Sequence, residues 1–169
     1  MNPGDRDVVK SLVVRVLEHW RVRDARPGPP CLEERIQAFE RRENVELPQD
    51  VRTYLLTANG MDLAFRLGKD KQGFAFWPLE AIVRADVQAG REAPPRIPRA
   101  NIAEFYVFAD YLDRSWEYAF KARGEDAGSV VLVDGVHDGY RVASSFGDFL
   151  QAYLSEQIRL FPPPARDWQ

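Results

Sequence analysis

The chain has 169 residues, 45% of them hydrophobic and 29% charged, with a formal net charge of −3. That length and balance suit one domain able to bury a core of its own, and the mild acidity argues against a dedicated nucleic-acid binder. Cys31 is the sole cysteine, so an intramolecular disulfide and a cysteine metal cluster are both excluded.

The first residues, Met1 to Asp7, are charged and lack the apolar segment of a signal peptide. No later apolar run is long enough to span a membrane, so a cytoplasmic location is the expectation. Val8, Val9, Leu12, Val13, Val16, Leu17 and Trp20 recur with helical spacing and predict an amphipathic helix over 8–20. His19 falls opposite much of that stripe and is expected in solvent. The prolines of Arg26-Pro27-Gly28-Pro29-Pro30 break the helix. A second helix follows with Leu32, Ile36 and Phe39 inward, and Asn44 is expected to end it.

Leu47 to Gly60 reads as a complete third helix. Pro48 suits the first helical position, where the N–H has no intrahelical partner, and Asp50 sets negative charge against the positive end of the dipole. Val51, Tyr54, Leu55 and Ala58 form the inward stripe, and Asn59-Gly60 tolerates a left-handed stop.

Beyond Gly60 the pattern changes. Gly73 to Trp77 predicts a strand closed by Pro78, and Leu79 to Ala85 a helical turn or two. Gly90 to Arg99 holds Pro94, Pro95 and Pro98 and reads as a polar loop. Phe105 to Tyr111 is a strand. Trp116, Tyr118 and Phe120 alternate with Glu117, Ala119 and Lys121, which predicts a second strand with one buried face, joined to the first by a hairpin at 112–115. Ser129 to Val133 and Tyr140 to Ala143 add two more. Ser145 reads as the N-cap of a last helix, with Asp148 three residues on and Phe146, Phe149, Leu150 and Tyr153 inward. The proline-rich end, Phe161 to Gln169, cannot continue it.

Helices first, an antiparallel meander next and a closing helix indicate an α+β fold: N-terminal helices packed on a mostly antiparallel sheet, closed by a C-terminal helix. One domain over 1–169 is expected, its sheet covered by helices on one face and available on the other.

Taken in order, these segments resemble the SUKH superfamily, which includes the yeast cell-wall-assembly regulator, the bacterial Syd protein and many bacterial immunity proteins. The resemblance is carried by the 32–40 helix, Leu47-Pro48 through Asn59-Gly60, and Gly73-Phe74 through Pro78-Leu79-Glu80-Ala81-Ile82. It continues with Phe108-Ala109-Asp110-Tyr111, Trp116-Glu117-Tyr118-Ala119 and Val142 to Leu150. It covers roughly residues 31–155, leaving 1–30 as an extra helix and linker and 156–169 as a helix end and tail. It implies a non-enzymatic protein that binds a cognate polymorphic toxin, often a nuclease, or alternatively an intracellular scaffold binding a housekeeping partner. The matched motif residues are implied as fold determinants, with no catalytic role.

The residues themselves carry little chemistry. His137 with Asp134 and Asp138 is the most site-like cluster, but a metal would need another ligand and supporting groups, and an Asp- and Gly-rich turn is the favoured explanation. Cys31 has no recognisable histidine partner, Ser144-Ser145-Phe146 is no nucleophile elbow, and phosphate-binding glycine motifs are missing. No enzyme activity, cofactor, metal or direct nucleic-acid contact is therefore expected. Asp110, Asp113, Glu117, Asp134 and Asp138 read either as solvated turn charges or as an acidic rim that mimics nucleic acid toward a basic partner. Trp77, with Tyr106 or Tyr111, supplies the aromatic anchors that could accompany such a rim.

Overall fold

A computed structural model describes residues 3–65, 68–85, 102–133 and 139–161. Among these the chain forms four α-helices, α1 (Pro3–Val22), α2 (Glu33–Glu43), α3 (Gln49–Thr57) and α4 (Phe146–Leu154), and a sheet of six strands. The strands are β1 (Phe74–Phe76), β2 (Val83–Arg84), β3 (Phe105–Tyr111), β4 (Trp116–Lys121), β5 (Val130–Val133) and β6 (Arg141–Ala143). They lie in the order β1-β3-β4-β5-β6, with β2 also pairing β3, and every pairing is antiparallel. The fold is α+β as the sequence predicts. Leu79 to Ala85 departs from expectation, since only Leu79–Ala81 turns helically before the chain extends into β2.

The helices cover one face of the sheet. Val13, Val16 and Trp20 of α1, Tyr54 and Leu55 of α3, and Phe146, Phe149 and Leu150 of α4 are buried against Phe74, Phe76, Phe108, Tyr118 and Phe120. Phe76 sits at the centre, its ring within 4.9–6.5 Å of the rings of Trp20, Tyr54, Phe108, Phe149 and Tyr153. Such tilted and edge-on arrangements add to the area each aromatic buries.

The start of α4 is fixed by two side chains, one local and one from α3. Ser145 caps α4 by accepting from the Asp148 N–H at 3.0 Å. Asp50 of α3 reaches the same terminus and accepts from the Gly147 N–H at 3.1 Å and from its own neighbour Val51 at 2.9 Å. Burial pushes the Asp50 carboxyl above its usual range, and these N–H donors offset part of that shift. Asn44 ends α2 in the left-handed region, as expected.

Several expectations are corrected. Pro48 precedes α3 rather than opening it, and the helix ends at Thr57 with Ala58 extended. Asn59 is no left-handed stop: its buried side chain accepts from the Leu79 N–H at 2.7 Å, tying the end of α3 to the segment after β1. Gly60 alone is left-handed, at φ +69°, and a Cβ there would lie 2.5 Å from the Trp77 carbonyl carbon. Leu32 is exposed because α2 begins one residue later and turns it outward. His19 leaves solvent in part and sets its ring edge-on to Tyr153 of α4 at 5.1 Å.

The opposite face of the sheet is not open either. Ala75, Trp77, Ala85, Ile102, Phe105, Val107, Ala119, Val131 and Val133 form a second, smaller buried cluster there. Side chains of a strand alternate between faces, yet β3 supplies Tyr106, Phe108 and Ala109 to the first cluster and Phe105 and Val107 to the second. The register shift between Val107 and Ala109 opposite β4 explains this. One extra residue, Phe108, makes a β-bulge and resets the alternation, so that Asp110 falls on the face away from the helices.

Candidate interaction site

Beside that second cluster lies a group of polar and aromatic side chains. Asp110 of β3 stands directly opposite Ala75 of β1 on one side and Glu117 of β4 on the other. Asp110 is 7% exposed and Glu117 8%, so the two carboxylates are buried neighbours, not the solvated turn charges that their residue type suggests. Burying acidic groups side by side is costly unless donors meet them.

The donors are present. Trp77, the first residue past β1, is held by its backbone N–H, which donates to the Phe108 carbonyl at 2.7 Å. Its indole Nε1 donates to Asp110 Oδ2 at 2.7 Å. The other carboxylate oxygen of Asp110 accepts from the Arg114 backbone N–H at 3.0 Å. Arg114 then folds back over the site. Its Nε lies 3.0 Å from Glu117 Oε1, and its guanidinium carbon sits 5.0 Å from the centre of the Trp77 ring.

The turn that delivers Arg114 is unusual. Leu112, Asp113 and Arg114 have φ of 49°, 55° and 68°, three consecutive non-glycine residues in the left-handed region. Contacts with Gly73 pin the turn: the Leu112 N–H donates to the Gly73 carbonyl at 2.9 Å, and a Cβ on Gly73 would come within 2.7 Å of the Leu112 side chain. Asp113 at the tip is exposed and pairs with Lys69. The next residue, Asp70, is a buried carboxylate that accepts from the Phe74 N–H at 3.0 Å and from the Tyr153 hydroxyl. Trp77, Asp110, Asp113, Arg114 and Lys69, with Leu63, Ala75 and Ala81, surround a cavity of about 390 Å³.

Of the residues singled out from sequence, Trp77, Asp110, Asp113 and Glu117 are thus brought together. Tyr111 is not: it faces the helices and stacks on Trp116 at 5.2 Å, with Phe161 edge-on to both rings. Asp134 and Asp138, like His137, the 90–99 loop and the tail from Pro162, lie outside the described residues. Arg114 and Lys69 were not anticipated. Arg114 had one available signal, an arginine in a hairpin turn between two carboxylates; Lys69 had none.

Other reactive groups are placed for structure. Burial raises the Cys31 thiol above its usual pKa, the reverse of what a nucleophile needs. Among the described residues no three His, Cys, Asp or Glu side chains are grouped to hold a metal, and no helix is long and apolar enough to cross a membrane.

Helices on one face of an antiparallel sheet, with this aromatic and charge-lined cavity on the other, define an α+β domain. The chain belongs to the SMI1 / KNR4 family (SUKH-1), whose family model matches residues 30–152. This family consists generally of non-enzymatic, immunity-type binding proteins. No curated protein matches the chain. All six charged and aromatic residues of the site fall within the matched segment, whereas α1 precedes it.

Proposed function

We propose that this chain is an immunity protein of the cytoplasm that neutralises a cognate bacterial polymorphic toxin, such as a nuclease, by direct binding and without chemistry of its own. The face bearing Trp77, Asp110, Asp113, Arg114 and Glu117 meets the toxin. The observation that carries this reading is the buried cross-strand pair Asp110 and Glu117, two carboxylates at positions where apolar side chains would serve the fold better. Trp77 and Arg114 beside them are the residue types that dominate binding energy at interfaces. A basic nucleic-acid cleft on the toxin would complement the carboxylates and hasten encounter. Asp134 and Asp138, which follow β5, belong to the same proposed acidic rim.

Co-expression with the toxin domain encoded beside its gene tests the proposal. Cells carrying both are expected to survive, and the two proteins to co-purify. Equal death with and without this chain would refute it, and recovery of one constant partner from cells lacking any such toxin would favour the scaffold role instead.

A further inference from the structure

Arg114 occupies the site in the way a bound ligand would. Its guanidinium lies over the Trp77 ring and meets Glu117 Oε1, and the residue lines the 390 Å³ cavity. The cavity falls within the ~300–1,000 Å³ typical of small-molecule sites. Trp77 cannot turn away, because its indole N–H is held by Asp110. Lys69 lines the rim but is engaged by Asp113. The fixed parts of the site are therefore one indole face and two buried carboxylates, and the part that can swing out is a side chain half exposed to solvent.

We propose that the Trp77 ring face and Glu117, at the edge of this cavity, form a receptor for an arginine side chain, with Arg114 as its resting occupant, and that the partner inserts an arginine of its own in exchange. The inference rests on the reading that this face meets a protein partner and names the group it receives. Arginine fits better than lysine because its planar, weakly hydrated guanidinium stacks on an indole while donating to a carboxylate. An anionic ligand would face the Asp110 and Asp113 carboxylates of the lining, with Glu117 beside Asp110. Exchange is favoured over simple release, since withdrawing the guanidinium takes a charged donor from the buried Glu117 carboxylate.

The Trp77 Nε1–H resonance in nitrogen-15 NMR spectra, assigned by its loss in Trp77→Phe, reads the site directly. Nα-acetyl-arginine methylamide is titrated into the native chain and into Arg114→Ala. Removing the internal competitor is expected to lower the half-saturating concentration at least tenfold. The neutral citrulline analogue should leave the resonance in place, and Glu117→Gln in the Arg114→Ala background should abolish the response. A dispersed Trp77 signal reports that each variant is folded, and Arg114→Gln replaces Arg114→Ala if the latter is not. Equal concentrations for the native and Arg114 variants, or an equal response to citrulline, would overturn the proposal. Loss of toxin protection with this titration intact would count against the toxin alone, so the two ideas fail separately.

Discussion

On its helix-covered face the sheet presents Phe74, Phe76, Phe108, Tyr118 and Phe120, all buried and in ring contact with one another or with the helices. On the other face the same strands present Ala75, Val107, Ala119 and Val131, and beside them Trp77, Asp110 and Glu117. Both faces are buried, yet only one is purely apolar. The first is packed for stability, where each ring finds several partners. The second accepts charged groups at buried strand positions and supplies each with a donor from a neighbouring element. Burial alone therefore does not separate the core from the candidate site in this fold; the chemistry of what is buried does.

Truncating the centre of the apolar face should give the largest effect. Phe76→Ala is expected to cost about 3–5 kcal/mol in urea denaturation, the range for removing a buried aromatic ring. It should change partner affinity only through loss of folded protein. Trp77→Phe probes the other face, and there the order reverses. Stability should fall by about 1–2 kcal/mol, because Asp110 loses its indole donor while the ring is largely replaced. Partner affinity should fall by about 30-fold, the loss expected at an interface hot spot. Calorimetric titration with the purified toxin domain checks this, and a Trp77→Phe variant that binds normally would erase the distinction between the faces.

The smallest effect concerns pH and should belong to the helix side only. Burial beside Tyr153 holds the His19 pKa below its ordinary 6.5, with Arg23 adding to the shift and Asp70 and Glu156 opposing it. A lowered pKa means that the fold favours the neutral ring. Its contribution to stability is thus fully present above pH 6.5 and is lost as pH falls through the folded-state value. Hydrogen bonds from Arg159 hold Asp148 below 3.8, so its contribution is lost only at still lower pH. The urea midpoint should drop between pH 7.5 and pH 5, and His19→Gln should flatten that part of the profile. Were the profile unchanged in His19→Gln, another group would be responsible.

The sequence was most legible where one spacing decides one element. Phe105–Tyr111 and Trp116–Lys121 are strands with the expected bounds, and Ser145 caps α4 as its position beside Asp148 predicts. What could not be read depends on register. The bulge at Phe108 leaves no mark in residue type, yet it decides which face Asp110 occupies. Asp110 and Glu117 look like solvated charges until the pairing of β3 with β4 sets them opposite each other in a buried position. Arg114 reaches Trp77 only because three residues adopt the left-handed region, which non-glycine residues seldom do. Asn59 shows the converse error. Its neighbourhood looked like a local helix stop, but its bond runs to Leu79, twenty residues away.

That bond, from the Leu79 N–H to the Asn59 side chain, and the bare Cα of Gly60 against the Trp77 carbonyl join the end of α3 to the segment that carries Trp77. The Met61 N–H completes the joint by donating to Phe76. Between helix and indole the links are one short, buried amide side chain and two close main-chain contacts. A partner that pulls on Trp77 therefore loads the helical layer itself, and the domain resists as one stiff beam.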